Sequence, residues 1–130
     1  MKRTPEAPRW LEQSVRDLDD AEYTLGERYH LACFLAQQAA EKALKAFLFH
    51  KGAESVWGHS VAELAADAVD FDRSFEDLKE AAGLDKYYIP TRYPNGLPGG
   101  IPAEAFFEQD AEQAISIARK VIEVVKSKLR

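Results

Sequence analysis

Apolar residues recur at three- and four-residue spacing along most of the chain. Leu11, Val15, Leu18, Ala21 and Leu25 make one stripe, the spacing that lines one face of an α-helix. Pro8 lies just ahead of the stripe and Gly26 just after it. A first helix is therefore predicted from about Arg9 to Leu25. A second is predicted from about Tyr29 to Lys51, stopped by Gly52. At about 100° per residue, its Ala32, Ala36, Ala39, Ala40, Ala43 and Ala46 gather on one side. Small side chains there let a neighbouring helix approach closely. Gln37, Gln38, Glu41, Lys42 and Lys45 gather on the other side, with Phe34, Leu44 and Leu48 mixed among them. A helix that is apolar nearly all round is buried on most sides, so this is the expected central helix.

Ser60-Val61-Ala62-Glu63 reads as a capping box opening a short third helix with Leu64, Ala65, Ala68 and Val69 on its apolar face. A fourth helix is predicted from about Ser74 to Tyr88 on Phe75, Leu78, Ala82 and Tyr87. The Pro- and Gly-rich stretch from Pro90 to Pro102 forbids a continuing helix. A loop of this length in a compact domain is uncommon and often functional. The last helix is predicted from about Ala103 to Leu129, with Phe107, Ala111, Ala114, Ala118, Val121, Val125 and Leu129 as its stripe and Ile115 and Ile122 widening it. Nothing alternates with period two over a useful length, so no sheet is expected. The expected architecture is all-α: an up-and-down bundle of four main helices plus a short extra one, with residues 1–130 as a single domain.

Composition narrows the function. The chain has 130 residues, 46% hydrophobic and 30% charged, which suits one globular core. Its longest unbroken apolar run, Leu31 to Ala36, is too short to span a membrane, and the charged N-terminus has no apolar segment after it. A cytoplasmic location and no membrane association are expected. The net charge of -5 opposes tight, non-specific binding to a nucleic-acid backbone, while leaving room for a local basic patch. The single Cys33 reads as a small buried hydrophobe. His30, His50 and His59 have no metal-ligand spacing, so neither a metal site nor a cofactor is expected.

No nucleophile with an adjacent base, no glycine-flanked serine and no phosphate loop of the Gly-Lys-Ser/Thr kind is present, so no catalytic residue is assigned. Two constellations remain. Gln38, Lys42 and Lys45 are helical neighbours, as are Gln37, Glu41 and Lys45. They form either surface ion pairs or the wall of a groove that meets a phosphate or a base. The second constellation is Tyr87-Tyr88-Ile89-Pro90-Thr91-Arg92-Tyr93-Pro94-Asn95. Here Arg92 can grip a phosphate bidentately and Tyr93 can stack on a base. Equally, Arg92 can bond the acidic face of another helix. His59 sits directly before the third helix's cap and is either a ligand contact or a structural loop histidine.

The chain resembles the HEPN (higher eukaryotes and prokaryotes nucleotide-binding) family in its small stand-alone prokaryotic form. The resemblance lies in Tyr29 to Ala46, with its Gln-Gln-Ala-Ala-Glu-Lys-Ala core, in His59-Ser60-Val61-Ala62-Glu63-Leu64, in Tyr88-Ile89-Pro90-Thr91-Arg92-Tyr93-Pro94, and in the Ala-rich last helix. It covers about Arg9 to Lys128. It implies a homodimeric helical bundle, partnership with a minimal nucleotidyltransferase in a toxin–antitoxin-like pair, and a nucleotide or RNA ligand. Some members of the wider family are metal-independent ribonucleases, marked by Arg, four to six residues, then His. Counting from Arg92, those positions hold Leu97, Pro98 and Gly99. An imidazole general acid or base is therefore missing from its usual place.

The expectation is a non-catalytic nucleotide- or RNA-binding module using Gln38, Lys42, Lys45, His59, Arg92 and Tyr93. The alternatives are a ribonuclease toxin in which His59 replaces the missing histidine through space, and a structural protein that offers a dimerisation or partner surface.

Overall fold

The computed structural model describes residues 5–130; the charged residues 1–4 of the N-terminus lie outside them. Helix α1 runs Glu6–Thr24 and α2 runs Tyr29–His50. Helix α3 (Val61–Val69) follows, then a 3-10 helix (Arg73–Tyr87), a short turn at Pro94–Gly96, α4 (Pro102–Ala105) and α5 (Glu108–Lys128). Among the described residues there is no strand.

Helix α2 is the centre of the bundle, touching α1, α3, the 3-10 helix, α4 and α5. Its six alanines at 32, 36, 39, 40, 43 and 46 are fully buried. The absence of large side chains brings α1 close enough for the Ser14 hydroxyl to donate to the Ala39 carbonyl at 2.6 Å. The end of α2 is closed by Phe47 against Phe75, centroids 4.4 Å apart, a pair contributing about 0.5–1.5 kcal/mol beyond the area it buries. Gly52, just past that end, has φ +104, a left-handed conformation in which a side chain would be strained.

The start of α3 is held by more than its own sequence. The Ser60 hydroxyl accepts from the Glu63 N–H at 3.1 Å, one half of the expected capping box; among the described residues the Glu63 side chain makes no return bond. Asp85, from the 3-10 helix, supplies the remaining acceptors: its carboxylate takes the Val61 N–H at 2.6 Å and the Ser60 hydroxyl at 2.7 Å. A negative group suits the positive end of a helix, and this one ties α3 to the next element.

The fourth element departs from the expected α-helix. Phe75, Leu78, Ala81, Leu84 and Tyr87 are its buried residues. They recur every third position, and a 3-10 helix, at 3.0 residues per turn, stacks such a series on one face. Ala81 therefore points into the core and Ala82 does not. A break at Leu78 (φ -98, ψ 32) divides the segment, as suits a geometry that rarely persists.

The last helix also begins later than the pattern suggested. Phe106 and Phe107 are extended (φ -121 and -117), separating α4 from α5, and the Asp110 carboxylate accepts the Phe107 N–H at 2.9 Å. Phe107 is 67% exposed instead of lying on the stripe, while Ala111, Ala114, Ile115, Ala118, Val121, Ile122 and Val125 face the core.

Cys33 is fully buried. Burial, reinforced by the Asp110 charge, pushes its thiol up to about 12, so it stays a protonated, unreactive hydrophobe at neutral pH. No helix among the described residues is long and apolar enough to cross a membrane.

Candidate functional site

The polar face of α2 is folded inward. Gln37 is fully buried, Glu41 is 3% exposed and Lys45 is 5% exposed. Burying such groups is costly unless every one is paired, and here they are. Glu41 accepts from Gln37 Nε2 at 3.2 Å and from Lys45 Nζ at 3.3 Å. Gln37 also donates to the His59 carbonyl at 3.0 Å. Gln38 donates to the Gln37 side-chain oxygen at 2.8 Å. Of the two sequence-based options for Glu41 and Lys45, a surface ion pair or an open groove wall, neither describes them fully. They form a buried pair whose lysine reaches the edge of a cleft.

His59 rests on this network. Its Nδ1 lies 3.3 Å from both Glu41 oxygens. A carboxylate can only accept, so Nδ1 carries the proton and Nε2 is left for solvent. The imidazole is stacked on the Tyr88 ring, 4.7 Å between centroids at an interplanar angle of 16°. Its side chain remains 56% exposed. The Glu41 contact fixes the ring's orientation while one edge stays open.

Tyr88 also contacts Arg92. The Arg92 guanidinium carbon lies 4.6 Å from the ring centroids of both Phe34 and Tyr88 and 5.1 Å from that of Tyr93. Its Nε donates to the Tyr88 carbonyl at 2.8 Å. Rings on several sides hold a guanidinium by cation–π attraction and do not neutralise it. No acidic side chain pairs with Arg92 among the described residues, and its terminal nitrogens keep donors for an incoming anion. The turn that carries it is built by the Arg92 and Tyr93 N–H groups, which both donate to the Ile89 carbonyl at 3.0 Å. The buried Thr91 hydroxyl anchors it to the Tyr87 carbonyl. Gly96 folds back so closely that a Cβ there would sit 3.0 Å from the Pro90 Cα.

Of the residues singled out from sequence, Gln38, Lys45, His59, Arg92 and Tyr93 are joined through Glu41 and Tyr88. Lys42 is not part of this group. It pairs at 2.5 Å with the nearly buried Asp17 and ties α1 to α2. Glu41, the hub of the network, was read from sequence as one member of the polar arc of α2 and not as a site residue. The cleft beside it was not legible at all. It has a volume of about 950 Å³, lies between the start of α1 and the loop before α3, and is lined by Trp10, Phe49, Trp57, Lys45 and His59 among others. No group of three or more His, Cys, Asp or Glu side chains among the described residues is arranged to hold a metal.

The HEPN domain model matches residues 7–128. The chain belongs to the HEPN family. A HEPN fold is seen again in solved relatives. A crystal structure of a Thermus thermophilus protein is 46% identical, covers 97% of this chain and all of its own, and superposes with a TM-score of 0.87. An archaeal HEPN homologue is 39% identical over the full length of both chains, TM-score 0.79. A HEPN domain protein of Thermotoga maritima is 32% identical over 93% of this chain and 97% of its own, TM-score 0.73. A Methanocaldococcus jannaschii protein named as a candidate toxin is 25% identical over 93% of this chain and 86% of its own length.

Proposed function

We propose that this HEPN chain is a binding module for a nucleotide or RNA, acting as the substrate- or partner-holding subunit of a minimal nucleotidyltransferase in a toxin–antitoxin-like pair. The observation that carries the reading is the state of Arg92. It is aromatic-walled, fixed through Nε and without an acidic partner among the described residues. A phosphate can occupy the guanidinium's free edge, His59 can offer its outward nitrogen, and Tyr93, 50% exposed, can stack on a base. Lys45 and Gln38 act behind them by holding Glu41 and Gln37 in place. The M. jannaschii relative named as a candidate toxin supports the toxin–antitoxin setting.

A thermal-shift screen against nucleotides and short RNAs tests the reading. A ligand that raises the melting temperature of wild type and not of Arg92→Ala supports it. A ligand that stabilises both proteins equally removes Arg92 from the site.

One observation favours a second reading, metal-independent RNA cleavage: Tyr88 contacts both His59 and Arg92, so one ring relates the two. In that reaction the 2′-hydroxyl attacks the adjacent phosphorus, the 5′-oxygen leaves and a 2′,3′-cyclic phosphate results. His59 would exchange the proton and Arg92 would steady the phosphoryl oxygens. RNA cleavage that persists in EDTA and disappears in His59→Ala supports this reading; intact RNA at high protein concentration rejects it.

A further inference from the structure

Both tryptophans of the chain, Trp10 and Trp57, line the same cleft beside Lys45 and His59. Trp57 is 85% exposed. A large ring left in water on a short loop costs solvation energy that a ligand can recover. Trp10 is fixed in the same cleft. Its indole N–H donates to Glu6 at 3.0 Å, its ring packs on Phe49 at 5.7 Å, and the Lys45 ammonium lies 5.5 Å from its centroid. The cleft therefore offers one preorganised aromatic wall and one exposed aromatic wall, while its Lys45 and Arg9 are already paired with Glu41 and Glu6. Its acidic residues are Glu6 and Glu54. Glu6 is already engaged, by Trp10 and by Arg9 at 2.9 Å.

The cleft and the Arg92 cradle are separate cavities related through one chain of contacts. His59 lines the cleft and also stacks on Tyr88, which in turn contacts Arg92. We infer that the Trp10–Trp57 cleft is a second base-stacking subsite, so that the ligand is single-stranded RNA running from Arg92 past His59 to Trp57, and not a lone nucleotide. This deepens the proposed function and rests on it for the Arg92 end. Flat tryptophan rings accept any base face, which suits single-stranded recognition. The aromatic character of the path also answers the net charge of -5: stacking, more than backbone neutralisation, supplies the affinity.

Because both tryptophans sit in the cleft, intrinsic tryptophan fluorescence reports on it alone. The experiment titrates the full chain with a single-stranded RNA hexamer, reading tryptophan emission and, in parallel, the anisotropy of a labelled hexamer. Wild type, Trp57→Ala, Trp57→Phe and Arg92→Ala are compared, each checked for an unchanged melting temperature. The hexamer is expected to quench wild-type emission. Trp57→Ala is expected to weaken hexamer binding roughly five- to a hundredfold, the range of one lost stacking contact, with Trp57→Phe recovering most of it. Equal hexamer binding by wild type and Trp57→Ala, with emission unmoved, overturns the subsite; if Arg92→Ala then abolishes binding, the Arg92 reading survives by itself. Loss in Trp57→Ala and not in Arg92→Ala upholds the cleft and removes the Arg92 end. Quenching by an aromatic peptide and not by RNA assigns the cleft to a protein partner and overturns the inference.

Discussion

Glu41 lies within 3.3 Å of His59 Nδ1 through both of its oxygens while also pairing with the buried Lys45 ammonium. One carboxylate thus orients an exposed imidazole and neutralises a buried cation. Replacing it separates the two roles. Glu41→Gln leaves the Lys45 charge buried without a counter-ion, a change that typically costs about 3–5 kcal/mol. Glu41→Gln combined with Lys45→Met is expected to recover most of that loss, because an apolar side chain of similar length needs no partner. Urea denaturation of the two single variants and the double variant checks this; additive losses would mean that the pair is not coupled.

A side chain at Gly96 is expected to crowd the Pro90 backbone. The Cβ of Gly96→Ala would meet the Pro90 Cα at 3.0 Å and the Pro90 nitrogen at 3.2 Å. These are backbone atoms and cannot turn aside. Overpacking of this kind costs about 1–3 kcal/mol, and here it falls on the turn that carries Arg92. Gly96→Ala should therefore lower the melting temperature modestly and weaken ligand binding more than its stability loss explains. Gly99→Ala, which meets nothing within 4 Å, should do neither.

Stability should fall at alkaline pH. Burial, with a smaller contribution from Asp110, pushes the Cys33 thiol up to about 12; burial, Cys33 and Asp110 push the Tyr87 hydroxyl up to about 12. In the unfolded chain these groups ionise near their ordinary values of about 8.5 and 10. Between those values and about pH 12 the unfolded chain releases protons that the folded chain retains, so unfolding is favoured as pH rises. Below about pH 8 neither group ionises in either state and the two contribute nothing to the pH dependence. Chemical denaturation from pH 8 to 11 should show the decline, and Cys33→Ala should shift its onset towards the tyrosine range. An unchanged onset in Cys33→Ala would contradict the assignment.

The parts of the fold that were legible in sequence are those decided locally. The alanine series of α2 could only be a close-packed interior face, and Ser60 could only be a cap. The period of three in Phe75, Leu78, Ala81, Leu84 and Tyr87 was also written in the chain, but an α-helical template takes Ala82 in place of Ala81 and hides it. What sequence could not reveal depends on contacts between elements. Asp85 caps a helix 24 residues before it. Glu41 is buried because the loop bearing His59 folds over it. Trp10 and Trp57 line one cleft with no spacing to announce them. For Arg92 and Tyr93 the sequence left two roles open, a ligand contact or a structural bond to another helix, because a Pro- and Gly-rich loop does not say what its side chains meet. That Arg92 would be ringed by aromatics, without an acidic partner among the described residues, was a matter of tertiary packing.

On the proposed function, the free edge of the Arg92 guanidinium receives a phosphate. Isothermal titration of the best-stabilising nucleotide or RNA into wild type, Arg92→Lys and Arg92→Ala tests this. A charge-assisted hydrogen bond contributes about 1.5–3 kcal/mol, so Arg92→Ala should bind roughly ten- to a hundredfold more weakly. Arg92→Lys should fall between the two, since an ammonium cannot match the bidentate fork. Equal affinity in all three proteins would remove Arg92 from the binding site.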